Sequence, residues 1–170
     1  MADTYAMRVL AFDPGYERLG AAVLENHAGE KRGPRGGSEV LLHSECIRTS
    51  PKLKFGERLK ELGAAAEALI KKWEPECIAL EEVFFEKNAK TAMQIAEVRG
   101  ALMYIAASRG LAVHHYTPGE VKIAVTGYGA STKAAIALMV PKLLALPARA
   151  RLDDELDAIA VGITCLASLR

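Results

Sequence analysis

Short apolar runs and longer stretches of helical spacing take turns along this chain. Residues 8–12 and 20–24 are short apolar runs on either side of Asp13-Pro14-Gly15, whose proline and glycine mark a turn. A third strand-like run spans 39–47, so the first part of the chain reads as an antiparallel meander. Between the second and third runs, residues 29–37 are rich in glycine and charge and lack periodicity, which predicts a hairpin loop. The spacing then changes: over 55–73, Leu59, Leu62, Ala66, Leu69 and Ile70 recur on one helical face, and Pro75 closes the segment. Residues 77–80 make a buried strand. A second long helix over 88–108 carries a broad apolar face (Ala92, Met93, Ile95, Ala96, Ala101, Leu102, Ile105), whose small residues suit close helix packing across a dimer interface. Residues 111–116 form a fifth strand, Pro118 opens a short helix, and Ser131 is placed to cap another that runs to about 146. The last helix, 152–168, has Leu156, Ile159, Ala160, Ile163 and Leu166 on one stripe. Three neighbouring strands followed by helix-strand alternation give an α/β fold, a mixed sheet with helices packed on it.

Length and composition refine this picture. The chain has 170 residues, 51% of them apolar, enough for one well-buried core and short for two, so residues 1–170 read as a single domain. Its formal net charge is only +1, which offers no bulk attraction to nucleic acid; any such surface must be local and segregated from the acids. Cys46, Cys77 and Cys165 are odd in number and form no CxxC, which argues against a disulfide framework or zinc site and for buried reduced thiols. No run approaches the roughly 18 to 20 apolar residues of a membrane span, and a cytoplasmic protein is expected.

Carboxylates at three separated places carry the candidate chemistry. Asp13 follows an apolar strand, where a side chain leaves the core and can face a cleft; taken alone, an Asp before Pro-Gly is more often a turn former. Glu81 and Glu82 end the fourth apolar run, and alternation lets only one of them join Asp13 on a given side. Alone, such a pair is merely solvated. Asp154 and Asp157 lie three apart on one helix face, where like charges repel unless a cation lies between them. Favourable placement at a positive helix N-terminus accounts for Asp153, Asp154 and Glu155, but less well for Asp157, a turn further in. Together the acids read as a site for a hard divalent cation, which takes oxygen ligands and suits phosphodiester chemistry.

Aromatic and basic residues surround these acids in sequence. Phe84 and Phe85 sit in a connection, where either is a wedge for an unstacked base or a core residue. Thr126-Gly127-Tyr128-Gly129-Ala130-Ser131-Thr132-Lys133 has glycines but not the spacing of a phosphate loop. Backbone contact of this turn with a DNA phosphate, helped by Lys122 and Lys133, fits it better.

In their order, these segments resemble the RuvC family of Holliday-junction resolvases, within the RNase H-like superfamily. The resemblance rests on Phe12-Asp13-Pro14-Gly15, Cys46-Ile47-Arg48-Thr49, Ala79-Leu80-Glu81-Glu82-Val83-Phe84-Phe85 with Lys87-Asn88-Ala89, and Val98-Arg99-Gly100. It continues through Val121-Lys122, Gly127-Tyr128-Gly129, Lys133 and Asp154-Glu155-Leu156-Asp157-Ala158-Ile159-Ala160, and so covers nearly the whole chain. It implies an RNase H-like, five-stranded mixed sheet, three strands antiparallel and two parallel. It also implies catalytic, metal-binding acids at Asp13, Glu81, Asp154 and Asp157, selecting Glu81 over Glu82, a base-stacking Phe84, and DNA-phosphate roles for Lys122 and Lys133. The implied activity is resolution of four-way DNA junctions by paired symmetric nicks, in recombination and repair. The implied cofactors are two Mg2+ ions, with Mn2+ as substitute, roughly 3.5 to 4 Å apart, and the products carry 5′-phosphate and 3′-hydroxyl ends. A homodimer and a RuvA and RuvB branch-migration complex are the implied partners. An RNase H-like enzyme cutting RNA or RNA–DNA hybrid, and a junction-binding module without catalysis, are the alternatives.

Overall fold

The computed structural model describes residues 6–27, 39–82, 89–146 and 149–169. The loop expected at 29–37, together with Phe84, Phe85 and Lys87, lies outside the described residues. Along the chain come β1 (Ala6–Asp13), β2 (Arg18–His27), β3 (Glu39–Arg48), α1 (Phe55–Trp73), β4 (Cys77–Glu81) and α2 (Ala89–Ser108). β5 (Ala112–Tyr116), α3 (Pro118–Thr126), α4 (Lys133–Leu143) and α5 (Asp153–Ser168) follow.

One five-stranded sheet has the order β3-β2-β1-β4-β5. The meander β1-β2-β3 is antiparallel, with Asp13 opposite Gly20 and Arg18 opposite Arg48, and β4 and β5 add in parallel through helical crossovers. Central β1 and β4 are buried on both faces, which is why they read as unbroken apolar runs. Val9, Ala11, Ala22, Leu24, Cys77 and Ala79 pack with α5 on one face. Leu10, Phe12, Val23, Ile78 and Leu80 pack with α1 and α2 on the other.

Local signals set the helix ends. Thr117 accepts from the Glu120 amide while the Glu120 carboxylate accepts from the Thr117 amide, a reciprocal cap with Pro118 at the first helical position. Gly127, at φ 79°, ends α3 in the left-handed region, where a residue without Cβ is unstrained. The cap of α4 is Thr132 rather than Ser131: its hydroxyl accepts from the Ala135 amide, while Ser131 Oγ bonds Thr126. That helix also stops at Leu143, short of the expected 146, where Ala145 turns to a positive φ of 50°.

Two helices depart from the expected burial. In α5, every residue from 158 to 166 is buried, so the apolar stripe is a buried cylinder with α3 and α4 across its outer side. Fully buried Ile159 and Leu166 each contribute roughly 1.5 to 3 kcal/mol by leaving water. In α2, Ala92, Val98, Leu102 and Ala106 face the sheet, whereas Met93, Met103 and Tyr104 are exposed. Of the cysteines, Cys77 and Cys165 are buried thiols as expected, but Cys46 is only half-buried, beside the acids described next.

Candidate active site

Strand parity decides which carboxylates meet. Val9 and Ala11 lie on the α5 face of β1, so alternation turns Asp13 to that same face where the core runs out. The same count on β4, through Cys77 and Ala79, turns Glu81 toward Asp13. Glu82 falls on the opposite parity, near enough to His115 for its charge to act on that imidazole.

The helix side of the site depends on two close approaches. A Cβ on Gly20 would lie 1.9 Å from the Asp154 carbonyl oxygen, and a Cβ on Gly162 would lie 2.3 Å from Leu24 Cδ1. At Gly20 the obstacle is backbone, so glycine is required for α5 to lie this near β2; at Gly162 it is the end of the buried Leu24 side chain. Asp154 is thereby set over β2 and β3, beside Arg18 and Cys46, and Asp157, one turn on, acts on Asp13 and Glu81 at the ends of β1 and β4.

The resulting electrostatics are those of crowded, partly desolvated anions. Burial first, then the charges of Glu81, Asp157 and Asp154, push the Asp13 carboxyl up to about 8, with Lys133 acting in the opposite direction. Burial and Asp157 raise Glu81, against Lys133 and Lys122. Lys133 Nζ donates to Asp157 Oδ2 at 2.9 Å, and this bond raises the lysine above its ordinary value. Asp154 Oδ2 lies 3.3 Å from Arg18 Nε and 3.9 Å from Cys46 Sγ. A small cleft of about 260 Å³, lined by Lys133, Asp153, Leu156 and Asp157 among others, opens between α4 and α5.

Glu81, Asp154 and Asp157 thus all act on Asp13, Asp157 acts on Glu81 as well, Lys133 stands among them, and Lys122 is close enough to bias Glu81. Phe84 lies outside the described residues. Sequence reasoning missed Arg18, a meander residue with no motif to mark it. It also accounted for Glu155 by the positive helix N-terminus alone. Glu155 is instead buried, accepts from Ser44 Oγ at 2.5 Å, pairs with Arg149, and has Arg151 Nε at 3.6 Å, tying α5 to β3 beside Asp154.

The donor set fits a hard divalent cation: four carboxylates, no nitrogen or sulfur among the closest donors, and mutual repulsion that a cation would reverse. Among the described residues, no three such side chains already stand at ligating spacing. An incoming ion therefore competes with Lys133 for Asp157.

Comparison with known proteins decides the family. Residues 9–165 match the family described as "Crossover junction endodeoxyribonuclease RuvC". The chain belongs to the RuvC family. It is 40% identical over 157 residues to the RuvC of Desulforamulus reducens, covering 92% of this chain and 91% of that one. The structure of Thermus thermophilus RuvC superposes with a TM-score of 0.80 at 34% identity, covering 93% of this chain and 92% of that one. That RuvC bound to a Holliday junction substrate superposes with a TM-score of 0.85 at 32% identity, over 96% and 95% of the two chains. The RNase H-like sheet expected from sequence is the one observed, in strand order and in its three antiparallel and two parallel members. Among the described residues of this RuvC chain, no helix is long and apolar enough to cross a membrane.

Proposed function

We propose that this chain resolves four-way DNA junctions as a metal-dependent endonuclease, nicking two opposed strands symmetrically. The observation that carries this reading is the convergence of Asp13, Glu81, Asp154 and Asp157 from β1, β4 and α5, with Asp13 pushed up to about 8. A carboxyl so placed gives up its proton when a cation arrives. Asp13, Glu81, Asp154 and Asp157 would hold two Mg2+ ions, or Mn2+ in their place. The ions supply a water nucleophile at neutral pH and stabilise the leaving 3′ oxygen. The chain's own side chains hold and orient: Lys133 pairs with Asp157 until a ligand replaces it, Arg18 orients Asp154, and Lys122 and Lys133 favour a phosphate beside Glu81. Products carry 5′-phosphate and 3′-hydroxyl ends.

Two opposed nicks call for two sites related by a two-fold axis, and the outer face of α2 suits a homodimer. Met93 is 62% exposed and Tyr104 75%, and Gly100 has nothing within 4 Å of where a Cβ would stand, so a second helix can approach closely. Phe84, between β4 and α2, stacks on a base at the junction centre. In the cell, the dimer acts with a RuvA and RuvB branch-migration complex, in the cytoplasm.

The test uses a mobile four-way junction whose homologous core offers many sequences, with wild type and Asp13→Asn in Mg2+ and in Mn2+. Paired symmetric nicks from wild type, absent from Asp13→Asn although it still binds, support the proposal. Binding without nicks in either metal overturns it, and preference for an RNA–DNA hybrid makes the chain a different RNase H-like nuclease.

A further inference from the structure

Arg18 and Arg48 are directly opposed across β2 and β3, at the same end of the sheet as Asp13. Directly opposed like charges on antiparallel strands are destabilising. Arg18 has one acidic neighbour, Asp154 at 3.3 Å, which belongs to the acid cluster. Both arginines line a cavity of about 380 Å³ whose wall also includes Arg58 and Glu17. A second cavity of about 310 Å³ shares Arg58 and Glu17 and extends the depression to Lys90 and Thr91, in the first turn of α2. Among the described lining residues, four cations therefore stand against one carboxylate, Glu17, with Asp154 beside Arg18, in a chain whose net charge is +1.

The groove is built rather than a chance gathering of mobile side chains. Thr49 is buried; its hydroxyl donates to the Tyr16 carbonyl at 2.7 Å and its amide to the Glu17 carbonyl at 3.0 Å, which ties the β1-β2 turn to the end of β3. The turn itself requires Gly15, since a Cβ there would meet the Arg18 carbonyl oxygen at 2.2 Å. Arg58 is held with its side chain 10% exposed, its guanidinium 5.6 Å from the centre of the Tyr16 ring and 3.9 Å from Glu17. A planar guanidinium fixed in this way is pre-organised for a phosphate.

Position supplies the rest of the argument. Asp13 ends the central strand; the groove lies on its β2-β3 side, and Lys122 and Lys133 act on the acids from the β4 side. A strand whose scissile phosphate sits among the acids continues away from them in both directions. On the Arg18 side it meets this groove.

We propose that the groove from Arg18 and Arg48, past Arg58, to Lys90 binds the phosphodiester backbone flanking the scissile phosphate on the cleaved strand. The inference rests on the nuclease function proposed above and assigns that function a second, non-catalytic phosphate site. Contacts there position the strand and carry no base sequence.

The test walks a single neutral methylphosphonate along the phosphates flanking the nick of a four-way junction. Binding is measured at several salt concentrations in EDTA, for wild type, Arg48→Ala, Arg48→Lys and Lys90→Ala. Arg48 and Lys90 are exposed, so these variants are expected to fold. With wild type, one or two flanking positions weaken binding about tenfold when neutralised, the loss of a charge-assisted hydrogen bond. The matching position becomes silent in Arg48→Ala or Lys90→Ala, and each alanine lowers the salt slope by about 0.9. Arg48→Lys restores the slope. Loss of charge anywhere lowers the slope; only a direct contact makes the two neutralisations non-additive. Wild-type nicking of the unmodified junction in Mg2+ is read first. Its absence overturns the nuclease reading and the groove with it, whereas nicking with a methylphosphonate profile unchanged in every variant overturns the groove alone.

Discussion

The two ends of β1 handle charge in opposite ways. Near its start, Arg8 is the cross-strand partner of buried Glu25; its Nε donates to Glu25 Oε2 at 2.8 Å and its Nη1 to the Trp73 carbonyl at 2.5 Å, while its amide bonds the Glu76 carboxylate. Charge there is matched, and the match joins β1, β2 and the end of α1. At the other end, Asp13 meets Glu81, Asp154 and Asp157, and among the described residues only Lys133 lowers its carboxyl. One end of the strand holds the fold together. The other stores repulsion that a cation relieves, and a functional site is where such a local conflict is expected.

The largest expected effect comes from removing the conflict. Asp13→Asn should lower nicking by well over the roughly 100-fold that loss of a supporting residue costs a metal site, and should raise the thermal midpoint in EDTA. A variant both inactive and less stable would show that Asp13 is structural. Next is Arg8→Met at the matched end, which removes the guanidinium bonded to buried Glu25. It should cost about 2 to 3 kcal/mol in urea unfolding, below the roughly 3 to 5 of a fully buried pair because the Arg8 side chain is 31% exposed, while nicking at 25 °C persists.

A pH series sharpens the contrast further. The folded carboxyl of Asp13 is raised from 3.8 to about 8, so the folded chain binds more protons than the unfolded one between those values. Metal-free stability should therefore fall as pH rises from about 4 to about 8, each unit being worth at most about 1.4 kcal/mol. Asp13→Asn should flatten that slope, and saturating Mg2+ should oppose it. A metal-free stability that instead climbs across this window would contradict the origin assigned to the shift. The smallest effect belongs to Lys133→Ala. Loss of this cation should move the Asp13 carboxyl further upward in a metal-free NMR titration, and an unmoved Asp13 would mean that the charge of Lys133 does not reach that carboxyl.

Much of this contrast was legible in the residues. The apolar runs at 8–12 and 77–80 locate the central strands, and counting alternate positions from Val9 and Cys77 reaches Asp13 and Glu81, once packing shows which parity faces α5. The sequence alone left Glu81 and Glu82 as alternatives, since parity has no sign until a helix covers one face. Thr132 was missed as a cap because Ser131 is an equally good hydroxyl one residue away, and only backbone geometry separates them. Glu155 and Arg18 were hidden for another reason. Arg18 takes its meaning from Asp154, far off in the chain, and although Arg149 and Arg151 lie near Glu155 in sequence, its tie to Ser44 on β3 leaves no trace in the local pattern. The burial of α5 on all sides likewise depends on α3 and α4 arriving from elsewhere.

Gly20 and Gly162 act as a gauge. Asp154 and Gly162 are eight residues apart on α5, about 12 Å along the helix axis, so the helix is a stiff rod lying along the sheet, with one of its two closest approaches beneath its acids. A methyl group at the far approach must displace the buried Leu24 side chain or shift the helix, and a shift there swings the carboxylates by a fraction of an ångström. Hard cations are unforgiving of such errors in bond length. Alanine at Gly162, remote from every reacting atom, would therefore detune the metal affinity of a site it never touches.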